Sequence, residues 1–151
     1  MKKIFLILAL ALYFNPSYAS ETENFINPIF YKTLHSMGTK GDTVKITPTT
    51  YQIKNYYGYE TSANCELLEN EIHKVTLKCL HLPADTAKKE LIIVGPNEKP
   101  KSWIYKFIIP EKDEQIYHGG LRVILYDRLS WEKEEDSISY ENFIIYNSEE
   151  D

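Results

Sequence analysis

A period-two alternation of apolar and polar residues runs through most of this chain and restricts the folds open to it. In residues 74–79, Val75, Leu77 and Cys79 alternate with lysine and threonine, as in a strand with one buried face. Similar segments recur roughly every ten residues, a spacing typical of β-sandwiches and barrels. Strands are predicted near residues 44–46, 50–57, 65–69, 74–79, 91–94, 103–109, 121–126 and 138–146. We therefore expect an all-β domain of about eight mostly antiparallel strands, forming a sandwich or a small barrel.

One short helix is predicted at the N-terminal end of this domain. Asn27 can cap the helix, Pro28 suits its first turn and Gly38 can close it. The apolar residues at helical spacing are Phe30, Leu34 and Met37. An extended arm is the alternative, because the isoleucine, phenylalanine, tyrosine and threonine of this segment also favour strands.

The first nineteen residues have the organisation of a secretory signal peptide. Two lysines precede an uninterrupted apolar run at 4–14, and a Ser-Tyr-Ala sequence ending at Ala19 supplies a cleavage site. The run is shorter than the ~20 apolar residues that span a bilayer. We therefore expect removal of residues 1–19 and a single all-β domain over 20–151 without a membrane span. The periplasm is the expected location, with secretion as the alternative.

The charge of the mature chain is concentrated at its C-terminal end. The full chain has 17 Lys and Arg against 22 Asp and Glu, so loss of the two leader lysines gives a net charge of −7. Residues 132–151 hold eight acids and one base, whereas 20–131 is neutral, with 14 of each. An acidic end repels nucleic acid and attracts a basic protein partner, which is what we expect. The alternative is a solvated end that aids solubility.

Cys65 and Cys79 are the two cysteines of the chain, and an oxidising compartment is expected to join them. A hairpin with a loop over residues 70–74 brings the cysteines together on one face. The predicted pairs are Cys65 with Cys79, Leu67 with Leu77, and Glu69 with Val75. Such a bridge stabilises a hairpin of this length by about 3 kcal/mol on chain entropy. The spacing is far from the Cys-x-x-Cys of redox and zinc sites.

The sequence gives no sign of catalysis, and we predict that the protein is not an enzyme. Neither Gly-x-Ser-x-Gly nor His-Glu-x-x-His occurs in the chain. His35 and Met37 have the types and spacing of a copper-binding pair, but Met37 is the only methionine after the leader. We therefore expect no metal and no cofactor.

A cluster of tyrosines is the best candidate for a binding surface. Tyr56, Tyr57 and Tyr59 crowd around Gly58, where alternate residues of a turn must point outward. Exposed tyrosine is large, stiff and able to form hydrogen bonds, so it suits contact with a protein or a sugar. The other predicted contact residues are Trp131, Glu134, Glu135 and Asp136. The alternative is that one or two of the tyrosines cover the end of the core.

These features favour a non-enzymatic exported binding protein, most concretely a periplasmic inhibitor or immunity-type protein that occludes a toxin or hydrolase. Its mechanism would combine steric occlusion with electrostatic steering of a basic partner. One alternative is a structural or accessory subunit of an envelope secretion or pilus assembly, acting by exchange of edge strands. Another is a small carbohydrate-binding domain.

Overall fold

The computed structural model describes residues 25–111, 116–117, 119–136 and 139–146. The predicted signal peptide, 1–19, lies outside these ranges and stays a prediction. Residues 147–151 of the acidic C-terminal end also lie outside them. Within the described ranges, no helix has the length and hydropathy needed to cross a membrane.

Nine strands and one short 3-10 helix make up the regular structure of the described residues. The strands are β1 (Thr33–Ser36), β2 (Thr43–Thr47), β3 (Thr50–Lys54), β4 (Glu60–Glu71), β5 (Lys74–His81), β6 (Lys101–Ile108), β7 (Ile116–Tyr117), β8 (Gly120–Leu129) and β9 (Tyr140–Tyr146). The 3-10 helix, Glu134–Asp136, lies in the connection between β8 and β9.

Eight of the strands close into an antiparallel barrel. Their order is β6-β5-β4-β3-β2-β1-β9-β8, and residues 124–129 of β8 pair with β6 to complete the ring. The two-residue strand β7 pairs with β8, at Leu121 and Gly120. The predicted all-β, mostly antiparallel fold is confirmed, and its architecture is the barrel rather than the sandwich.

The inward-facing residues of the alternating segments fill the barrel. The largest fully buried apolar side chains are Phe107, Phe143, Ile29, Leu34, Ile46 and Leu77. An eight-stranded barrel has an interior just wide enough for side chains to fill. Each fully buried side chain of this kind contributes about 1.5–3 kcal/mol relative to exposure, so the scaffold is held from within.

The segment predicted as a short helix is instead a turn followed by strand β1, and the extended alternative is correct. The Asn27 side-chain oxygen accepts a hydrogen bond from the Ile29 amide at 3.2 Å, so the cap serves a turn. Tyr31 then has a φ of 65°, which is incompatible with continuing a right-handed helix. Strand β1 pairs with both β2 and β9, and these ladder hydrogen bonds outweigh a marginal helix.

The apolar run at 91–94 was expected to be a strand and lies in the long connection between β5 and β6. Only Val94 of this run is fully buried, and its carbonyl accepts a hydrogen bond from Ala84 at 3.0 Å. Ile92 is 60% exposed, so the run is not buried on both faces. The barrel closes without it because β6 and β8 pair directly.

The β4–β5 hairpin confirms the disulfide, and a bulge corrects part of the predicted register. Cys65 pairs with Cys79 and is bonded to it, with the Cα atoms 4.1 Å apart. The register then shifts between Leu67 and Glu69, so that Glu69 faces Thr76 instead of Val75. The extra residue shortens the predicted five-residue loop to a two-residue turn at 72–73, between the pair Glu71 and Lys74.

One end of the barrel, here called the mouth, carries both predicted binding segments. Because successive strands run antiparallel, the β1–β2, β3–β4, β5–β6 and β8–β9 connections all emerge at this end. The β3–β4 and β8–β9 connections are separated by four strands in either direction around the ring. They therefore stand on opposite sides of an opening roughly 15 Å across between backbones, given strands ~4.8 Å apart and tilted in a barrel.

Candidate functional site

Residues 55–59, here called the tyrosine turn, connect β3 to β4 at the mouth and are held by hydrogen bonds between their two ends. The Asn55 amide donates to the Tyr59 carbonyl at 2.9 Å, and the Asn55 side-chain oxygen accepts from the Tyr59 amide at 3.0 Å. Gly58 has a φ of 80°, a conformation that other residues rarely adopt. Tyr56 and Tyr57 are 68% and 73% exposed, and Tyr59 is 41% exposed.

The tyrosine rings rest on the two neighbouring connections rather than on the barrel core. Tyr56 lies over Gly41, so closely that a Cβ atom there would be 2.6 Å from its ring. Its ring meets that of Tyr57 edge to face, with centroids 5.5 Å apart. The ammonium of Lys89 lies 5.2 Å from the Tyr59 ring centroid, in cation–π contact. The rings of Tyr56 and Tyr57 therefore adjoin, while the Tyr59 ring is in contact with Lys89.

The other predicted contact residues belong to the β8–β9 connection, which leaves the barrel on the far side of the mouth from the tyrosine turn. Trp131 is 65% exposed just after β8, and Glu135 is exposed in the 3-10 helix that also contains Asp136. Glu134 makes an ion pair with Lys106 of β6, and this hydrogen-bonded contact lowers the pKa of the Glu134 carboxyl. Glu134 therefore lies against the outer wall of the barrel, and the structure does not bring all seven predicted residues into one surface.

Sequence reasoning missed a groove on the outer wall of the barrel, here called the outer groove. It has a volume of about 560 Å³. Its lining residues are Leu68, Glu69, Lys74, Thr76, Ile104, Lys106, Ile108, Tyr126, Arg128 and Glu134. The outward-facing pairs Glu69–Thr76, Thr76–Lys106 and Lys106–Tyr126 run across four strands and form its centre.

Two of the three cations of the outer groove, Lys74 and Lys106, form ion pairs with its carboxylates. The hydroxyl of Thr76 donates to Glu69 at 2.6 Å, and the ammonium of Lys74 lies 3.0 Å from the same carboxylate. These contacts lower the pKa of Glu69 and raise that of Lys74. Arg128 instead donates from Nη1 to the neutral backbone carbonyl of Glu132, at 2.6 Å.

The bulge in β4 forms one wall of this groove. Leu68 is the extra residue, and it brings Glu69 onto the outer face opposite Thr76. A signal for the bulge is present in the sequence, because the adjacent residues Leu67 and Leu68 interrupt the alternation. Bulges are frequent beside functional sites, which draws attention to this wall.

A second missed feature is a set of polar side chains inside the barrel, here called the polar layer and made of Tyr51, His81, Tyr105, Asp127 and Glu141. The rings of Tyr51 and Tyr105 stack at 4.1 Å, and the Tyr105 hydroxyl lies 2.7 Å from Nε2 of His81. Burial lowers the pKa of His81 to about 4 and raises the pKa of both tyrosines above their usual range. At neutral pH this part of the layer is therefore uncharged.

The two acids of the polar layer complete it from neighbouring strands. Asp127 pairs with Tyr105 and faces the interior, where burial raises the pKa of its carboxyl. Glu141 pairs with the buried Leu125 and accepts a hydrogen bond from the hydroxyl of Ser36. His81 is only 1% exposed, so this arrangement offers its imidazole to no solute and acts within the core.

Other candidate chemistry among the described residues finds little support. No group of three or more His, Cys, Asp or Glu side chains in the described ranges is placed to hold a metal ion. Ser130 and Lys133 have a Ser-x-x-Lys spacing. Residues three apart share a face on a helix, but Ser130 lies in a turn, so the spacing does not place the two side chains together. Both cysteines are in the disulfide. No protein-family model, curated protein or solved structure matches the chain.

Proposed function

We propose that this chain is a non-enzymatic binding protein, most concretely an exported inhibitor or immunity-type protein that occludes a toxin or hydrolase. The observation that carries the proposal is the exposed tyrosine turn. Tyr56 and Tyr57 present adjoining rings to solvent in the same turn as the partly exposed Tyr59, and an exposed aromatic surface is typical of an interaction site. Tyrosine is also among the residues that contribute most to interface affinity.

The tyrosine turn suits occlusion because its conformation is set before a partner arrives. Asn55 holds the two ends of the turn, and Asp42 accepts a hydrogen bond from the Tyr56 amide at 3.1 Å. A turn fixed in this way loses little conformational entropy when it binds. Insertion of the turn into a cleft would block that cleft sterically.

The opposite side of the mouth supplies the second part of the proposed surface. Trp131, Glu135 and Asp136 offer one exposed ring and two acidic residues next to it in the chain. Acidic groups beside an interface accelerate the approach of a basic partner. Each partner in a stable complex usually buries about 800 Å², so we expect the partner to cover more than the tyrosine turn alone.

Capture followed by affinity measurement tests the proposal. The mature chain is used to isolate a partner from an extract of the exported compartment, and the dissociation constant is then measured with the purified partner. We expect Tyr57→Ala to weaken binding by about 30-fold, the effect of losing roughly 2 kcal/mol at an aromatic anchor. Tyr31→Ala is the matched control, because Tyr31 is 65% exposed at the opposite end of the barrel.

Three outcomes would contradict the proposal and favour another function. Unchanged affinity in both Tyr56→Ala and Tyr57→Ala would remove the tyrosine turn from the site. Binding to a glycan that is lost in Tyr57→Ala would favour a carbohydrate-binding domain. Association that is insensitive to salt would favour strand addition to an envelope assembly, although a closed ring of eight strands leaves little free edge for it.

A further inference from the structure

We propose that the outer groove is a second binding site, which takes a small amphipathic carboxylate such as a medium-chain fatty acid. In this proposal Arg128 binds the carboxylate, and Leu68, Ile104 and Ile108 contact the apolar body. The proposal goes beyond the binding function assigned to the mouth, because it concerns the wall of the barrel. Its volume of about 560 Å³ lies within the range of small-molecule sites.

The floor of the groove favours a ligand with an apolar body. Ile104, Lys106 and Ile108 point outward along β6, and all three belong to the lining. The two isoleucines are only partly buried, and Leu68 on the bulge is 44% exposed. Covering these three aliphatic side chains with a hydrocarbon chain removes apolar surface from water, which favours binding.

The charge of the lining favours a single negative charge on the ligand. Three cations, Lys74, Lys106 and Arg128, face two carboxylates, Glu69 and Glu134, so the lining is net +1 in a chain that is net −5. A monoanion balances this charge. A dianion such as a phosphate monoester would leave excess negative charge beside two carboxylates, and a cation would be repelled.

Arg128 is the cation with capacity for a ligand. The ammonium groups of Lys74 and Lys106 are each paired with a carboxylate of the groove. Arg128 donates from Nη1 to a neutral carbonyl oxygen, and a guanidinium has five donors in a planar fork that matches a carboxylate. A ligand carboxylate would therefore meet Arg128 without displacing an existing ion pair.

Glu134 regulates this site in a predictable direction. Its carboxylate contacts Lys106 and adds a negative charge at the rim of the groove, where it competes with a ligand carboxylate for the cations. Removing that charge in Glu134→Gln should strengthen binding, whereas Arg128→Gln should weaken it. A substitution that merely damages the fold would not strengthen binding, so the two variants separate the proposed role from instability.

The test is a titration of the isotopically labelled mature chain with decanoate, followed by nuclear magnetic resonance. We expect saturable shifts of the amides at Thr76, Ile104 and Arg128, with affinity at least about tenfold higher than for acetate, decanol or decylamine. Arg128→Gln should lose about tenfold in affinity and Glu134→Gln should gain several-fold. Decyl phosphate at pH 8, a dianion with the same apolar body, tests the preference for a monoanion, and binding as tight as that of decanoate would contradict it.

The matched control is Lys78→Gln, which removes a cation next to Ile104 on the same outer face but outside the groove lining. It should leave decanoate affinity unchanged, as should Tyr57→Ala at the mouth. Equal losses in Lys78→Gln and Arg128→Gln, equal binding of decylamine, or the absence of saturation would overturn the proposal. None of these results bears on the tyrosine turn, so the two proposals fail independently.

Discussion

At the level of single residues, His81 shows how burial sets chemistry in this barrel. Its imidazole is 1% exposed, contacts the Tyr105 hydroxyl at 2.7 Å and meets the ring of Trp103 edge to face. Charging an imidazole in such surroundings is costly, and burial accordingly lowers the pKa of His81 to about 4. The histidine therefore works as a neutral hydrogen-bonding group of the core.

The pH dependence of stability should follow from this residue. The folded chain binds fewer protons at His81 than the unfolded chain between pH 6.5 and about 4. Its contribution is therefore complete above pH 6.5 and is lost as the pH falls toward 4, by at most about 3 kcal/mol. Urea unfolding at pH 7 and pH 4.5 should show this loss in the native chain and a smaller one in His81→Gln.

The control for this measurement is His73→Gln, at the exposed β4–β5 turn. It should retain the native pH dependence. Burial raises the pKa of the Asp127 carboxyl, so this group makes the folded chain more stable, not less, as the pH falls. Asp127 is present in all three proteins, so its effect cancels in the comparison. An identical slope in native chain and His81→Gln would contradict the assignment to His81.

At the level of elements, the β4–β5 hairpin is the part of the fold that the disulfide stabilises most directly. The bond joins residues separated by 14 positions, and Cys79 is fully buried in the core. The double variant Cys65→Ala, Cys79→Ala should lower the free energy of unfolding by about 3 kcal/mol on chain entropy. Equilibrium urea unfolding measures this, with the native chain under reducing conditions as the comparison. Equal stability of oxidised and reduced native chain would contradict the expectation.

The same hairpin shows how far the sequence predicts the local fold. Two leucines and two cysteines at matching distances were enough to pair Leu67 with Leu77 and Cys65 with Cys79, because both pairs lie inside the barrel. Beyond Leu68 the prediction was wrong by one residue, since alternation alone gives no register once a bulge intervenes. The outer groove depends on that shift, and for this reason it was not predicted.

At the level of the whole molecule, the weakest closure of the ring should be the contact between β1 and β9. The register there joins His35 to Ile144 and Ser36 to Phe143, whereas β5 and β6 are paired over eight residues each. Regions with fewer backbone hydrogen bonds open at lower free energy. Amides of β1 should therefore exchange with solvent faster than those of β5, in hydrogen exchange followed by mass spectrometry. Equal protection of the two strands would contradict this order.

Strand β1, which pairs with β9 to close the ring, was not predicted from the sequence. A helix was predicted where β1 lies, because Phe30, Leu34 and Met37 fit helical spacing as well as a strand. Without β1 the choice between sandwich and barrel stayed open. The polar layer depends on the same closure, since Glu141 of β9 and Tyr51 of β3 share one interior only when the ring is complete. Alternation predicts which face a residue occupies, but not which distant residue it meets there.

The two tryptophans lie in contrasting surroundings, so their intrinsic fluorescence can report on two different parts of the barrel. Trp103 packs against the core beside the His81 ring, with the centroids 5.4 Å apart, whereas Trp131 is 65% exposed at the mouth. The two indoles therefore emit from apolar and aqueous surroundings, respectively. A change in the red component of the emission reports on an event at the mouth, and a change in the blue component reports on the integrity of the barrel. Occupancy and folding can thus be followed separately without attaching any dye.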